Sequence, residues 1–307
     1  MIYVNGEKIE VKHFPDNTQM LLDLNVDDVL HVSFRPDVKF INFKWIYESD
    51  EELVTLMYLV NHYRSIMPAP LKNVAVFRLI MLYIPNARMD RTKSKSEVFT
   101  LKYFCDFINS LHFDEVIVLD PHSNVSTALL NNLIIENVSE YIKYAIDDIE
   151  GVGIDGGERY GGTSIIYFPD EGAMKRYKDL KVFGERRLIY GSKNRDWKTG
   201  KILGLTIHSQ EGTDLTEFGD KPLTNSVMLM IDDIISYGGT LAYSADSLKN
   251  LGASAIYAYA SHTENSVLDE ENGTFIKRLN NGTVDGLFTT PSIYRGDHPK
   301  ITVLNEL

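Results

Sequence analysis

Cysteine is nearly absent from this chain of 307 residues; Cys105 is the single example. One thiol excludes an intrachain disulfide framework and suits a reducing compartment. Its place in an apolar helical pattern makes it core filler rather than nucleophile. No apolar run approaches the roughly 18 residues that a membrane helix needs, and MIYVNGEKIE has no signal-peptide core. These absences point to the cytoplasm and away from a membrane. Positive charge is also scarce: 31 Lys and Arg face 43 Asp and Glu, a net charge of −12. Such a chain repels nucleic acid unless it carries a local basic stripe, and none is found. HExxH, GxSxG, Walker A and paired CxxC patterns are missing, which removes zinc proteolysis, serine hydrolysis, P-loop catalysis and zinc ribbons. Gly151-Val152-Gly153-Ile154-Asp155-Gly156 does spell G-x-G-x-x-G. An acidic segment precedes it and a strand follows, the wrong context for a dinucleotide fingerprint, so it reads as a linker.

What is present is ordinary for a soluble globular protein, 44% hydrophobic and 24% charged, at a length that suits two domains. FPDN (14–17) is a turn signal and VLHVSF (29–34) alternates like a strand. DEELVTLMYLVNHYRSI (50–66) places Leu53, Leu56, Met57 and Val60 at helical spacing. VAVFRLIMLYIP (74–85) reads as one long strand closed by Pro85, and NARMDRTKSKSE (86–97) as a basic loop. Val98, Leu101, Cys105, Ile108 and Leu111 mark a helix before the strand EVIVLD (115–120). The Gly-rich hinge 151–162 then divides the chain into domains 1–150 and 151–307.

The second half repeats the alternation. SIIYFPD (164–170) is a strand, EGAMKRYKDL (171–180) a helix start and RRLIYG (186–191) a strand. SKNRDWKTGK (192–201) is a basic flexible loop; strand 227–231, helix 240–251 and strand SAIYAYAS (254–261) follow. Strands alternating with helices predict an α/β protein with a mainly parallel sheet flanked by helices in each domain. A faint repeat supports two copies of one design. Leu111 to His122 and Leu251 to His262 each span a turn and a buried strand after an amphipathic helix.

The segment SVMLMIDDIISYGGT (226–240) carries the most chemistry. A strand, a Gly-containing turn and a helix form an anion cradle, with backbone N–H groups and the helix's positive end aimed at one spot. Asp232 and Asp233 repel phosphate but suit sugar hydroxyls or a metal ion. Carboxylates beside a phosphate cradle suggest a sugar phosphate. Ligands of open α/β sheets gather at the carboxyl ends of strands, where 86–91, 120–123, 170–172 and 232–240 all lie. There His122 and Asp170 offer one nitrogen and one oxygen ligand, a sparse set that suits a Mg²⁺ completed by waters and phosphates. Lys193 and Arg195, with Lys198 and Lys201, read as a cationic flap over a phosphate transition state.

The order of these pieces resembles the ribose-phosphate diphosphokinases (PRPP synthetases), a family built from two tandem type I phosphoribosyltransferase-like domains. FPDN resembles its F-x-D-G-E loop, NARMDR (86–91) its Y-A-R-Q-D-R segment and DPHS (120–123) its D-L-H segment. YFPDEGAMKRY (167–177) is similar to S-P-D-x-G-G-x-x-R, and SKNR (192–195) stands at the K-x-R loop. IDDIISYGGT (231–240) resembles V-D-D-x-x-D-T-G-G-T, and VDGLFTTPSI (284–293) resembles I-D-x-x-x-x-T-N-T-I. The resemblance implies Mg²⁺-dependent transfer of diphosphate from ATP to O1 of ribose 5-phosphate, giving PRPP and AMP.

Carried over position by position, the ATP residues would be Asp16, Asn17, Thr18, Arg88, Met89, Asp90 and Arg91. His122 and Asp170 would serve the magnesium–polyphosphate. Lys193 and Arg195 would be catalytic, with Arg195 also touching ribose phosphate. Asp232 and Asp233 would take the ribose hydroxyls, and Ser236, Tyr237, Gly238, Gly239 and Thr240 the 5-phosphate. A homo-oligomer, dimer or hexamer, is implied as well. Several positions depart from the pattern: Met89 stands for glutamine, Thr18 for glutamate, Ser236 for an acid and Tyr237 for threonine. Two other readings stay open. One is a PRPP-consuming phosphoribosyltransferase, which would not need the segments at 14–17 and 86–91; the other is a catalytically silent regulatory relative.

Overall fold

The computed structural model describes residues 1–26, 39–72, 74–151, 163–195, 202–216 and 221–304. They form two compact units, Met1–Glu136 and Asn137–Leu307. The strand expected at 29–34 lies outside the described residues, as do 152–162 of the Gly-rich hinge and 196–201 of the basic loop.

The first unit runs β1 (Ile2–Val4), β2 (Glu7–Lys8), β3 (Val11–His13), β4 (Gln19–Leu21), β5 (Lys39–Trp45), α1 (Glu51–Ile66) and β6 (Ala75–Ile80). It continues with α2 (Thr100–Ser110), β7 (Glu115–Leu119), α3 (Asn124–Leu129) and β8 (Leu133–Glu136). Six strands lie in the order β2-β1-β5-β6-β7-β8, with β5 to β8 parallel, while β3 and β4 form a separate hairpin. Ile41, Phe43 and Trp45 alternate into the core from β5, the two-residue period of a strand. From α2, Leu101, Phe104, Cys105 and Ile108 are buried at three- and four-residue steps. Each large apolar side chain removed from water in this way contributes about 1.5–3 kcal/mol. Burial pushes the Cys105 thiol up to about 12, which fits core filler. The long strand read at 74–85 is shorter: β6 ends at Ile80. The ladder to β7 closes as Met81 N–H donates to Ile117 O and Leu119 N–H to Leu82 O, and Pro85 beyond them has no N–H to extend it.

The second unit runs α4 (Ser139–Glu150), β9 (Ile165–Phe168), α5 (Glu171–Tyr177), β10 (Leu188–Arg195), β11 (Ile202–Ser209) and β12 (Val227–Ile235). Then come α6 (Gly239–Asn250), β13 (Ala255–Thr263), α7 (Phe275–Asn280), β14 (Gly286–Thr289) and β15 (Ile301–Val303). The sheet order is β11-β10-β9-β12-β13-β14-β15, and only β10 and β11 pair antiparallel. Val227 to Ile231 are all buried, as a parallel strand covered on both faces requires.

The boundary falls earlier than 150/151. Tyr141, Ile142, Ala145, Ile146 and Ile149 bury one stripe of α4. Glu150 then accepts two bonds from Arg186, at 2.9 and 2.6 Å, and two from Ser164, both at 2.8 Å. These tertiary bonds, invisible in local pattern, tie α4 to the second unit.

The internal repeat has a structural counterpart at its start. Leu111 and Leu251 are the C-caps of α2 and α6, with φ/ψ of −80°/−7° and −79°/0°. The copies diverge at the strand. β7 has five residues and ends before His122, whereas β13 has nine and carries His262 within it, buried.

Candidate active site

Strand β12 is longer than its apolar run: pairing with β13 continues to Ile235, opposite Thr263, so the strand runs on through Asp232 and Asp233 instead of stopping at Ile231. Successive strand side chains point to opposite faces. Asp233 is buried and accepts a bond from Arg176 on α5 at 2.7 Å. Its own N–H donates to Asp232 Oδ1 at 3.0 Å. Burial, then the neighbouring Asp233 and Asp170 carboxylates, push Asp232 well above the ordinary carboxylate range. Asp170 lies two residues beyond β9 and caps α5, its Oδ1 accepting the Ala173 N–H at 3.0 Å. Asp170, Asp232 and Asp233 are thus brought together. Arg176, unassigned in the sequence, belongs with them; it ends the segment similar to S-P-D-x-G-G-x-x-R.

The turn Ser236–Thr240 leads into α6 as expected, and the first-turn N–H groups of a helix have no intrahelical acceptor. Gly238 has φ +71°, and a Cβ there would collide with Phe275. Only glycine satisfies both constraints. The Tyr237 carbonyl accepts the N–H groups of Thr274 at 3.1 Å and Phe275 at 3.2 Å, so α7 anchors the turn. Ser236 Oγ lies 3.1 Å from Ser266 Oγ. The Tyr237 side chain is 46% exposed, on the surface rather than packed into the unit.

Ser192 to Arg195 are not a loop. They complete β10, with the backbones of Lys193 and Arg195 paired to Leu205 and Ile202 of β11. An edge hairpin satisfies polar residues that carry no apolar period, which is why composition alone suggested a loop. Lys198 and Lys201 lie outside the described residues.

In the first unit, Asp16, Asn17 and Thr18 occupy the tip of the β3–β4 hairpin. Asp16 Oδ1 accepts Thr18 Oγ1 at 2.7 Å and Thr18 N–H at 3.0 Å, which holds its carboxyl below the ordinary value. Asn17 has φ +68°. Arg88, Met89, Asp90 and Arg91 follow β6, where Met89 N–H donates to Asn86 O at 2.8 Å and both Arg88 and Met89 are exposed. His122, half-buried, follows the adjacent strand β7. The 88–91 segment and His122 therefore share the carboxyl edge of one sheet, while the hairpin tip sits on another.

No family model matches the chain. It is similar to proteins named ribose-phosphate pyrophosphokinase. The Vibrio cholerae protein is 26% identical over 219 residues, 70% of this chain. That match spans 60% of the Vibrio protein's length. The Bacillus subtilis protein is 24% identical over 84% of this chain and 71% of its own length. For Hyphomonas neptunium the figures are 25%, 94% and 80%. The crystal structure of phosphoribosylpyrophosphate synthetase from Mycobacterium smegmatis superposes with a TM-score of 0.66 at 15% identity, covering 97% of this chain and 86% of that one. The chain is thus similar, at about a quarter identity, to proteins named ribose-phosphate pyrophosphokinase, and its fold is that of the Mycobacterium smegmatis synthetase structure.

Proposed function

We propose that this protein is a ribose-phosphate diphosphokinase that uses ATP and ribose 5-phosphate. The C1 hydroxyl oxygen of the sugar bonds to the β-phosphorus of ATP, and the bond from that phosphorus to the α,β-bridging oxygen breaks. The hydroxyl proton is released, and the products are PRPP and AMP. The observation that carries this reading is the carboxyl end of β12. There an acid, Asp232, precedes a turn with Gly238 in the left-handed region that opens the N-terminus of α6, whose first N–H groups suit a phosphate.

In this reading Asp232 accepts the ribose hydroxyls, and Ser236 to Thr240 hold the 5-phosphate. Lys193 and Arg195 stabilise charge on the transferring group, the main task in phosphoryl transfer. In the first unit, Asp16, Asn17, Thr18, Arg88, Met89, Asp90 and Arg91 bind ATP. His122 of the first unit and Asp170 of the second would each offer one ligand to Mg²⁺ carried by substrate oxygens, and the ion would supply charge neutralisation. The donor set fits such a cation. The Asp170 and Asp232 carboxylates lie close enough to repel one another, a pair that a cation would neutralise. The protein acts in the cytoplasm as a homo-oligomer, and among the described residues no helix is long and apolar enough to cross a membrane.

Incubation with ATP, Mg²⁺ and ribose 5-phosphate tests the reading. AMP and PRPP are expected in equal amounts with no base or pyrophosphate added. Product only when PRPP and a base are supplied would instead identify a phosphoribosyltransferase. Thermal stabilisation by nucleotide without turnover on any nucleoside triphosphate would identify a silent relative.

A further inference from the structure

The sequence presents Asp232 and Asp233 as an equivalent acidic pair, and the fold separates them. Asp233 has a side chain only 9% accessible, facing the Arg176 guanidinium at 2.7 Å. Arg176 is itself held: its guanidinium carbon lies 5.8 Å from the centroid of the Tyr177 ring, which stacks on Phe168 of β9 at 6.3 Å. A planar guanidinium can stack and donate at once, which an ammonium cannot match. Helix α5 therefore has two anchors. At its start Asp170 caps it through Ala173 N–H, and in its last turn Arg176 ties it to β12.

We propose that Arg176 and Asp233 are a positioning pair that clamps α5 to β12, which removes Asp233 from sugar contact and leaves Asp232 as the one hydroxyl-binding acid, with Asp170 held beside it. This rests on the ribose 5-phosphate reading above. In this arrangement Arg176 acts through the placement of Asp170 and Asp232. A charge-assisted bond from a half-buried guanidinium to a buried carboxylate holds such geometry well, and a displacement of about 1 Å at a reacting centre costs up to about a hundredfold in rate.

The test uses this protein and five variants: Asp232→Asn, Asp233→Asn, Arg176→Gln, Arg176→Lys and the double change of Asp233→Asn with Arg176→Gln. Ribose 5-phosphate binding is read by calorimetry, and kcat, KM and the Mg²⁺ requirement by product formation. Asp232→Asn is expected to weaken sugar binding by at least about tenfold, the loss of a charged hydrogen bond. Asp233→Asn and Arg176→Gln should leave sugar affinity within about threefold of wild type while kcat falls about ten- to a hundredfold. Arg176→Lys should recover part of that kcat. Combining Asp233→Asn with Arg176→Gln should cost less than the two single changes together, because one pair is being removed. If an uncharged variant does not fold, Arg176→Lys and the paired substitution still carry the comparison. Sugar affinity lost equally in Asp233→Asn and Asp232→Asn would overturn the proposal by placing both acids on the sugar. Wild-type protein that binds no ribose 5-phosphate would overturn the functional reading itself, a distinguishable result.

Discussion

Tyr167 of β9 donates its hydroxyl hydrogen to Ser244 Oγ of α6 at 2.9 Å, fully inside the second unit. The same hydroxyl occupies the space that a side chain at Gly191 of β10 would need. One buried oxygen thus joins three elements, and the strand that carries Lys193 packs over it.

Gly191→Ala forces a methyl group against that hydroxyl and should destabilise the protein by about 1–3 kcal/mol. Tyr167→Phe leaves Ser244 without its donor and should cost about 1–3 kcal/mol. The double variant should cost less than the sum, because removing the hydroxyl makes room for the methyl. Urea denaturation of all three supplies the numbers, and strict additivity would mean that the two groups never meet.

Lys193→Ala should lower kcat by at least about a hundredfold with a smaller change in KM, the signature of a group that acts on transition-state charge. Near-normal turnover would remove Lys193 from the mechanism.

Asp232 combines a cost in the free protein with the proposed role in binding the sugar. Burial and the Asp233 and Asp170 charges raise its folded-state value, so the folded protein is favoured when it is protonated. That contribution is complete below the ordinary carboxylate value and disappears as pH rises through the raised folded value. At neutral pH Asp232→Asn should therefore stabilise the unliganded protein while weakening ribose 5-phosphate binding, a trade of stability against function. Denaturation midpoints and calorimetry on the same samples measure both, and a destabilised variant would contradict the charge argument.

Glu150 has the opposite sign. Burial works to raise its carboxyl, but the Arg186 and Ser164 bonds outweigh this and hold it below its ordinary 4.5. Its contribution is present above that value and is lost as pH falls through the lower folded one. Glu150→Gln should destabilise the protein at pH 7, toward the lower end of the about 3–5 kcal/mol seen when a buried pair loses one partner. The gap between wild type and variant should narrow in acid. A gap of unchanged size at acid pH would assign the effect to packing rather than charge.

Local pattern was enough for much of this molecule. The apolar run at 227–231, the turn at 236–240 and the helical spacing after Thr240 specify a strand, a cradle and a helix without distant partners, because each depends on neighbours within a few residues. The same holds for α1 and α2, whose buried positions recur at helical steps. The order of the motifs carried the family resemblance for the same reason: a motif is local chemistry at fixed spacing.

The rest depended on residues far apart in the chain. Asp233 faces a cation because Arg176 is brought to it from another element. Helix α4 joined the second unit through Arg186, and Ser192 to Arg195 became a strand because β11 supplied backbone partners to residues with no apolar period. The sequence by itself determined which elements form and which chemistry each can offer, since those follow from short-range sterics and periodicity. Only the tertiary structure decided which polar groups remain for a substrate, since a buried charge must be paired and its partner is chosen by the fold.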